Sequence, residues 1–365
     1  MEKINICSLG EPTNPNTWSG TPFNLCHELQ KINCLADTFS SIATPNRYER
    51  KFLKLERKYY YKNSVDIERG FLSRYLNSKL VKRLTDNSNS NLTLHTGTLD
   101  LPFLNLPKKQ KHYLYCDSTW NLWSSCSTQM QGYKNRLLKD AERLERKSYN
   151  QMEHIFTISE YVKENLINHY QINPLKITVV GTGLGVIKPY FGTKDYSNSK
   201  ILFTAKSRFE DKGGNLALKA FEMASEINSN IELIIVGQNE YHERFKGKNI
   251  KVYGFISTDE LQNIFNKCSL FLMPALNEPW GLVYLEALAC KIPIVGLNRN
   301  SFPEISQNGK YGFGLEDEDP EKLCKILIEA FSDNKKLEEM GKAGQKFCLE
   351  KFSWNKTVSR IMSII

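Results

Sequence analysis

The chain has 365 residues, enough for two core-bearing domains at roughly 150 residues each. Hydrophobic residues make up 41%, charged residues 24% and aromatics 11%, a balance that excludes disordered, collagen-like and low-complexity classes. The net charge of +9 is lopsided: residues 1–180 carry +8 of it, so the basic character belongs to the first half.

The opening M-E-K-I-N-I-C-S-L-G has no basic segment leading into a long apolar core, so it reads as a first strand at 4–9 rather than a secretory signal. A turn at Trp18-Ser-Gly20-Thr-Pro22 follows and leads into a helix at 21–31; Gly20 permits close backbone approach to a ligand. Between Arg47 and Arg83, twelve basic residues face four acidic ones and interleave with Phe52, Leu55, Tyr59, Tyr60 and Phe71. This stretch reads either as a solvated helical face or as a basic, aromatic surface that meets an anionic membrane or an anionic acceptor. Nucleic acid is not expected as a partner, because no fold signature accompanies the charge. The polar run 86–91 is an exposed loop. Strands at 113–116 and 154–158, a helix at 160–169 and a strand at 176–180 complete the first half. Alternating strand and helix implies a parallel sheet with helices on both faces.

The second half alternates more cleanly. Strands are expected at 201–205, 232–236, 251–255, 270–273 and 294–296, with helices at 214–224, 258–266 and 282–290 between them. Ser257 and Glu260 fit a capping box, and Asp319-Pro320 puts an N-cap before a first-turn proline. Glycines at 181–192, with Lys188 and Pro189, mark the boundary between two doubly wound α/β domains expected to face a central cleft. The spacing Gly181-Thr-Gly183-Leu-Gly185 is G-x-G-x-G, not the dinucleotide fingerprint, and Pro189 interrupts the helix that would receive a pyrophosphate; a hinge fits better. No P-loop occurs. Nine scattered cysteines, and six scattered histidines without H-E-x-x-H or paired spacing, predict neither a disulfide framework nor a protein-held metal, and suit a reduced, cytoplasmic setting. No apolar run approaches the roughly 18 residues of a membrane span.

The strongest chemical signal is Asn277-Glu278-Pro279-Trp280-Gly281-Leu282-Val283-Tyr284-Leu285-Glu286, which opens a helix just after a strand. Pro279 steers Glu278 out of helical geometry, and the amides that follow, including Gly281 and Leu282, form a positive pole suited to phosphate. Glu278 at that mouth could hold sugar hydroxyls by charge-assisted hydrogen bonds, and Glu286, one to two turns inside, could reach a ribose diol. Arg208-Phe-Glu-Asp-Lys212-Gly213 follows the 201–205 strand; two cations at the same sheet edge can neutralise a diphosphate and the charge that builds on it as it leaves.

The run from Glu278 to Glu286 resembles the Glu-x7-Glu signature of glycosyltransferase family 4, retaining enzymes of the GT-B fold with two Rossmann-like domains. The likeness extends to the Gly20 loop, Phe156-Thr-Ile-Ser-Glu160, Arg208 with Lys212, Leu233 to Gly237, Val252 to Phe255 and Phe352-Ser-Trp354. It implies an acceptor-binding domain at 1–180, a donor-binding domain at 181–351, and a last helix at about 352–365 that packs back on the first. It implies a donor-sugar contact for Glu278, sugar or phosphate contacts for the Gly281 and Leu282 amides, ribose for Glu286 and diphosphate for Arg208 and Lys212. Gly20 would approach the donor phosphates, and Phe255 and Ile256 would border the base.

Two positions depart from the family pattern. Asp117 stands where many relatives carry a histidine, and is the one carboxylate that could act as a nucleophile under the sugar. Trp280 replaces a smaller or simpler aromatic residue and would reshape the sugar pocket. The implied activity is metal-independent and cofactor-free transfer from a UDP- or GDP-type sugar to a carbohydrate or lipid-linked acceptor, with retention, in surface polysaccharide, lipopolysaccharide or other glycoconjugate synthesis, on the cytoplasmic side of a membrane. A non-catalytic nucleotide-sugar-binding subunit and a sugar-nucleotide epimerase are the alternatives.

Overall fold

The computed structural model describes residues 2–365 apart from 66–68, 100–108, 207, 239, 242–244, 246 and 248, so three positions of the basic 47–83 stretch lie outside the described residues. The chain divides into two units, Met1–Gly183 with Trp354–Ile365, and Leu184–Ser353.

Unit 1 is built on six parallel strands: β1 (Ile4–Ser8), β2 (Leu35–Ser40), β3 (Leu92–Thr96), β4 (Lys111–Cys116), β5 (His154–Thr157) and β6 (Ile177–Val179), in the order β2-β1-β3-β4-β5-β6. Strands β1 and β3 are buried along their whole length, as a parallel sheet covered on both faces requires. The interior is not wholly apolar. Asn5 Nδ2 donates to the Ser90 carbonyl at 3.2 Å and to Thr93 Oγ1 at 3.4 Å, and His95 Nε2 meets His112 Nδ1 at 2.9 Å. Thr93 and His95 break the apolar run by which β3 would announce itself, and no strand is expected there from the sequence. Strand β2 is missed for a related reason: it lies at the sheet edge and is only half-buried throughout.

The Trp354–Met362 helix belongs to unit 1. It packs on the Thr21–Lys31 helix, and Arg360 Nη1 donates to the Val180 carbonyl at 3.0 Å. A Cβ at Gly183 would collide with Trp354, which explains the glycine there.

Unit 2 has a second parallel sheet of six strands: β7 (Lys200–Ala205), β8 (Glu232–Gly237), β9 (Ile250–Tyr253), β10 (Leu270–Leu272), β11 (Ile294–Leu297) and β12 (Gly312–Leu315), ordered β12-β11-β10-β7-β8-β9. Its core packs Phe203, Phe221, Ile235 and Leu327, with the Phe209 ring 5.3 Å from that of Phe203. The Ser257–Glu260 capping box forms: the Glu260 amide donates to Ser257 Oγ and the Ser257 amide to Glu260 Oε2. Asp319 caps the Pro320–Ala330 helix through the Glu321 and Lys322 amides. The other end of the Thr258–Lys267 helix is closed by a device the sequence does not announce. Lys194 Nζ donates to the carbonyls of Phe265, Asn266 and Cys268 at 2.9, 3.0 and 2.7 Å, and burial pushes that ammonium down to about 8.

Each sheet reverses its winding once, between β1 and β3 in unit 1 and between β7 and β10 in unit 2. Where the direction reverses, the loops leaving the carboxyl ends of adjacent strands diverge and leave a crevice. None of the nine cysteines forms a disulfide. Among the described residues, no helix is long and apolar enough to cross a membrane, and no three His, Cys, Asp or Glu side chains gather as a metal site.

Candidate functional site

The loops after β7 and β10 flank the switch point of unit 2, and they are tied to each other. The Asp211 carbonyl accepts from the Leu276 amide at 2.8 Å and from the Asn277 amide at 3.3 Å. Gly213 has φ +75°, and any Cβ there would strike the Pro274 carbonyl, so only glycine lets the loops approach. Arg208 is held at φ +60°, a left-handed backbone that costs a non-glycine residue on the order of 1 kcal/mol. Its Nε donates to Asp211 Oδ2 at 2.6 Å, while the buried Nη2 makes no hydrogen bond.

From the other end of the same loop, Lys212 Nζ contacts Glu278 Oε2 directly, with 21% and 15% of the two side chains exposed. The crevice thus brings Arg208, Lys212 and Glu278 together. Burial, with Arg208 beside it, pushes the Lys212 ammonium down to about 8; Asp211 pulls it back, and the Glu278 contact acts in the same upward direction.

Glu278 is followed by the mouth of the Leu282–Ala289 helix. Gly281 at the N-cap has φ +74°, and a Cβ there would come 2.6 Å from the Tyr284 ring. No side chain caps this end, so the positive pole of the helix is left to other partners. Trp280 is 4% exposed and turns into the fold: its ring stands 5.7 Å from that of Phe352, its carbonyl accepts from Ser301 Oγ at 2.7 Å, and its indole Nε1 makes no hydrogen bond.

Glu286 lies inside the helix and is 7% exposed. Its Oε1 accepts from the Ile187 amide at 3.0 Å, and Gly185 supplies the room, since a Cβ there would overlap that carboxylate. Burial pushes the Glu286 carboxyl up to about 7, with the Ile187 and Val186 amides pulling the other way. Phe255 and Ile256 follow β9, two strands from the switch point in the sheet order, and Phe255 is 58% exposed.

Unit 1 has its own crevice. Trp18, Thr21, Thr96, Gly97, Tyr115, Asp117 and Ile158 line a cavity of about 30 Å³ at the carboxyl edge of the sheet, room for about one water. Gly20, at φ +81°, starts the Thr21–Lys31 helix beside it, and Trp18 sits over Gly97 with its Nε1 donating to the Leu9 carbonyl at 3.2 Å. Burial pushes the Asp117 carboxyl up to about 6, with the Asp117 and Ser118 amides opposing.

Sequence reasoning missed Asp211, Thr96 and Gly97. Asp211 could have been found as the carboxylate three residues past Arg208. Gly97 had only the T-G-T turn after an unrecognised strand to mark it.

Chemically, two cations beside an uncapped helix mouth suit an anion with more than one phosphate, and a carboxylate among them suits hydroxyl groups. Residues 191–347 match the family model for glycosyl transferases group 1, and residues 43–185 match the model for Glycosyltransferase Family 4. Over 167 residues the chain is 28% identical to a GDP-mannose-dependent monoacylated alpha-(1-6)-phosphatidylinositol monomannoside mannosyltransferase of Corynebacterium glutamicum, a match covering 42% of this chain and 44% of the relative. A probable sucrose-phosphate synthase of Thermosipho melanesiensis is 25% identical over 221 residues, 56% of this chain and 51% of the relative. The chain therefore spans about half the length of these curated relatives. Among solved structures, sucrose-phosphate synthase from Thermosynechococcus elongatus is similar with a TM-score of 0.74 at 14% identity, covering 100% of this chain and 98% of that one. Anabaena HepE in complex with UDP and glucose is similar with a TM-score of 0.67 at 14% identity, covering 100% of both chains.

Proposed function

The chain belongs to glycosyltransferase family 4 and has the GT-B fold, and from that premise we propose that it moves a sugar from a UDP- or GDP-type donor to an acceptor hydroxyl with retention of configuration and without a metal. The acceptor is a carbohydrate or lipid-linked saccharide, in the building of a surface polysaccharide, lipopolysaccharide or other glycoconjugate. The observation that carries this reading is the meeting of Arg208, Lys212 and Glu278 at the open mouth of the Leu282–Ala289 helix, on a sheet's switch point.

In this reading unit 2 binds the donor. Arg208 and Lys212 neutralise the diphosphate and the charge that develops on it as the glycosidic bond breaks; the Gly281 and Leu282 amides share that load. Glu278 accepts hydrogen bonds from donor-sugar hydroxyls, and the diphosphate competes for the Lys212 ammonium that Glu278 otherwise holds. Trp280 acts from beneath, by fixing the backbone of the mouth against Phe352. Glu286 serves the ribose and ties the mouth helix to 186–187, while Phe255 and Ile256 border the base.

Unit 1 binds the acceptor, with Asp117 at its crevice, while Gly20 is assigned to the donor phosphates. The acceptor hydroxyl attacks the anomeric carbon on the face from which the diphosphate leaves, and the departing phosphate takes the hydroxyl proton. Positioning and electrostatics, rather than a strong base, supply most of the rate.

The test is a panel of UDP- and GDP-sugars with candidate acceptors, read by proton NMR of the product's anomeric coupling. A glycoside with the donor's anomeric configuration is expected. An inverted product contradicts retention, an isomerised donor without acceptor indicates an epimerase, and donor binding without turnover on any acceptor indicates a binding subunit.

A further inference from the structure

The basic stretch singled out in the sequence is not used by the site described above, and its exposed face has a definite pattern. The Arg47–Tyr60 helix of unit 1 leaves Tyr48, Phe52, Leu55 and Tyr59 exposed by 72%, 61%, 62% and 50%. At 100° per residue these four fall within about 60° of the helix circumference. They form one straight stripe about 16 Å long.

The stripe is not a core face left uncovered: apart from Tyr59, whose ring lies under the Arg136 guanidinium at 4.2 Å and edge-on to Tyr60, the helix packs by a different side. Tyr60 is buried and its hydroxyl donates to Asp140 at 2.6 Å, and Glu56 accepts from the Leu72 amide at 2.6 Å. Asn46 and Glu49 close a capping box at the start, so the helix is anchored at both ends and presents the stripe in a fixed orientation. Its two acids are thereby engaged in structural bonds. The remaining exposed surface carries Arg47, Arg50, Lys51, Lys54, Arg57 and Lys58.

We propose that this helix lies in the interface of an anionic lipid bilayer, with the Tyr48-Phe52-Leu55-Tyr59 stripe among the headgroups and upper acyl chains and the flanking lysines and arginines on lipid phosphates. At the same 100° per residue, Lys51, Lys58, Arg47 and Lys54 line one flank of the stripe, while Arg50 and Arg57 lie on the opposite side of the helix. A lone apolar stripe would suit many partners, but one with a row of four cations along its edge is complementary to a negatively charged apolar sheet. Tyrosine at both ends, with Phe and Leu between, suits the boundary between headgroup and hydrocarbon. This surface goes beyond the transferase reading and does not depend on it.

The test uses the full chain and no nucleotide, so failure of the transferase reading leaves it intact. Sedimentation with vesicles of phosphatidylcholine alone, and of phosphatidylcholine with phosphatidylglycerol, is compared for the natural chain, Phe52→Ser/Leu55→Ser and Lys51→Glu/Lys54→Glu. Circular dichroism melts confirm that the variants fold, as exposed sites allow, and Tyr48→Ser/Tyr59→Ser provides an independent pair on the same stripe. The natural chain is expected on the anionic vesicles only and to be released by salt, and the serine and glutamate pairs are expected to lower partitioning about tenfold or more. Equal binding to neutral vesicles, no binding to either, or variants that partition like the natural chain would overturn the proposal. So would a dimer, seen by light scattering without lipid, that the same serine pairs dissolve.

Discussion

Lys212 is subject to opposed influences: burial and Arg208 favour its neutral form, while Glu278 and Asp211 favour the ammonium. At about 8 the side chain is still an ammonium at neutral pH, and an arriving diphosphate strengthens that form. Asp117 offers a cleaner titration. Its carboxyl is raised to about 6, so the carboxylate forms only as pH rises through that value. If the carboxylate is the working form, kcat/KM should climb through about pH 6 and then level, and Asp117→Asn should remove that limb while lowering the plateau. A limb that survives unchanged in the Asn variant would assign it to another group. At this scale the sequence reveals the charged residues just past strand ends, Arg208, Lys212 and Glu278, because loops at a sheet's carboxyl edge have few structural reasons to carry them. It does not reveal that Asp211 joins two loops through its carbonyl, or that the Ile187 amide engages Glu286. Both depend on backbone atoms that look alike in every sequence.

Elements were legible where their chemistry is repetitive. Strands β7 and β8 are largely apolar runs, and the Ser257 and Asp319 caps announce two helix starts. Strand β3 was hidden because its interior carries histidine and threonine, and one of them, His95, meets His112 of the neighbouring β4 with a thermodynamic consequence. His112 is buried beside His95, with Asp86 acting weakly in the opposite sense, and its imidazole is pushed down to about 3. Its folded value lies below the ordinary 6.5, so the unfolded chain binds the proton first. The stability contribution is complete above about pH 6.5 and is lost as pH falls from there toward 3, at up to about 1.4 kcal/mol per pH unit. Urea midpoints at pH 7 and pH 5 should therefore differ, and His112→Asn, which keeps a polar atom near the Nδ1 position facing His95, should reduce that difference. An identical pH dependence in the variant would place the acid sensitivity elsewhere.

Across the whole molecule, two sheets of the same architecture each open a crevice where their winding reverses, and the chemistry-bearing loops leave the strands beside those two points. The doubly wound α/β class was readable from the alternation of short apolar runs and helices, since a parallel sheet needs a crossover after every strand. The hidden strands β2, β3 and β12 left the strand orders unreadable, and with them the positions of the crevices. Once the orders are known, Trp18, Gly97 and Asp117 converge in unit 1, and Arg208, Lys212, Glu278 and Gly281 in unit 2. The central claim is that the unit 2 crevice grips a diphosphate. Titration calorimetry of UDP and GDP, beside UMP and GMP, on the natural chain and on Arg208→Gln and Lys212→Gln tests it most directly. At least one diphosphate should bind more tightly than its monophosphate, and each substitution should weaken it about tenfold or more. Diphosphate binding that neither substitution alters, or no preference for the diphosphate over the monophosphate, would contradict the account.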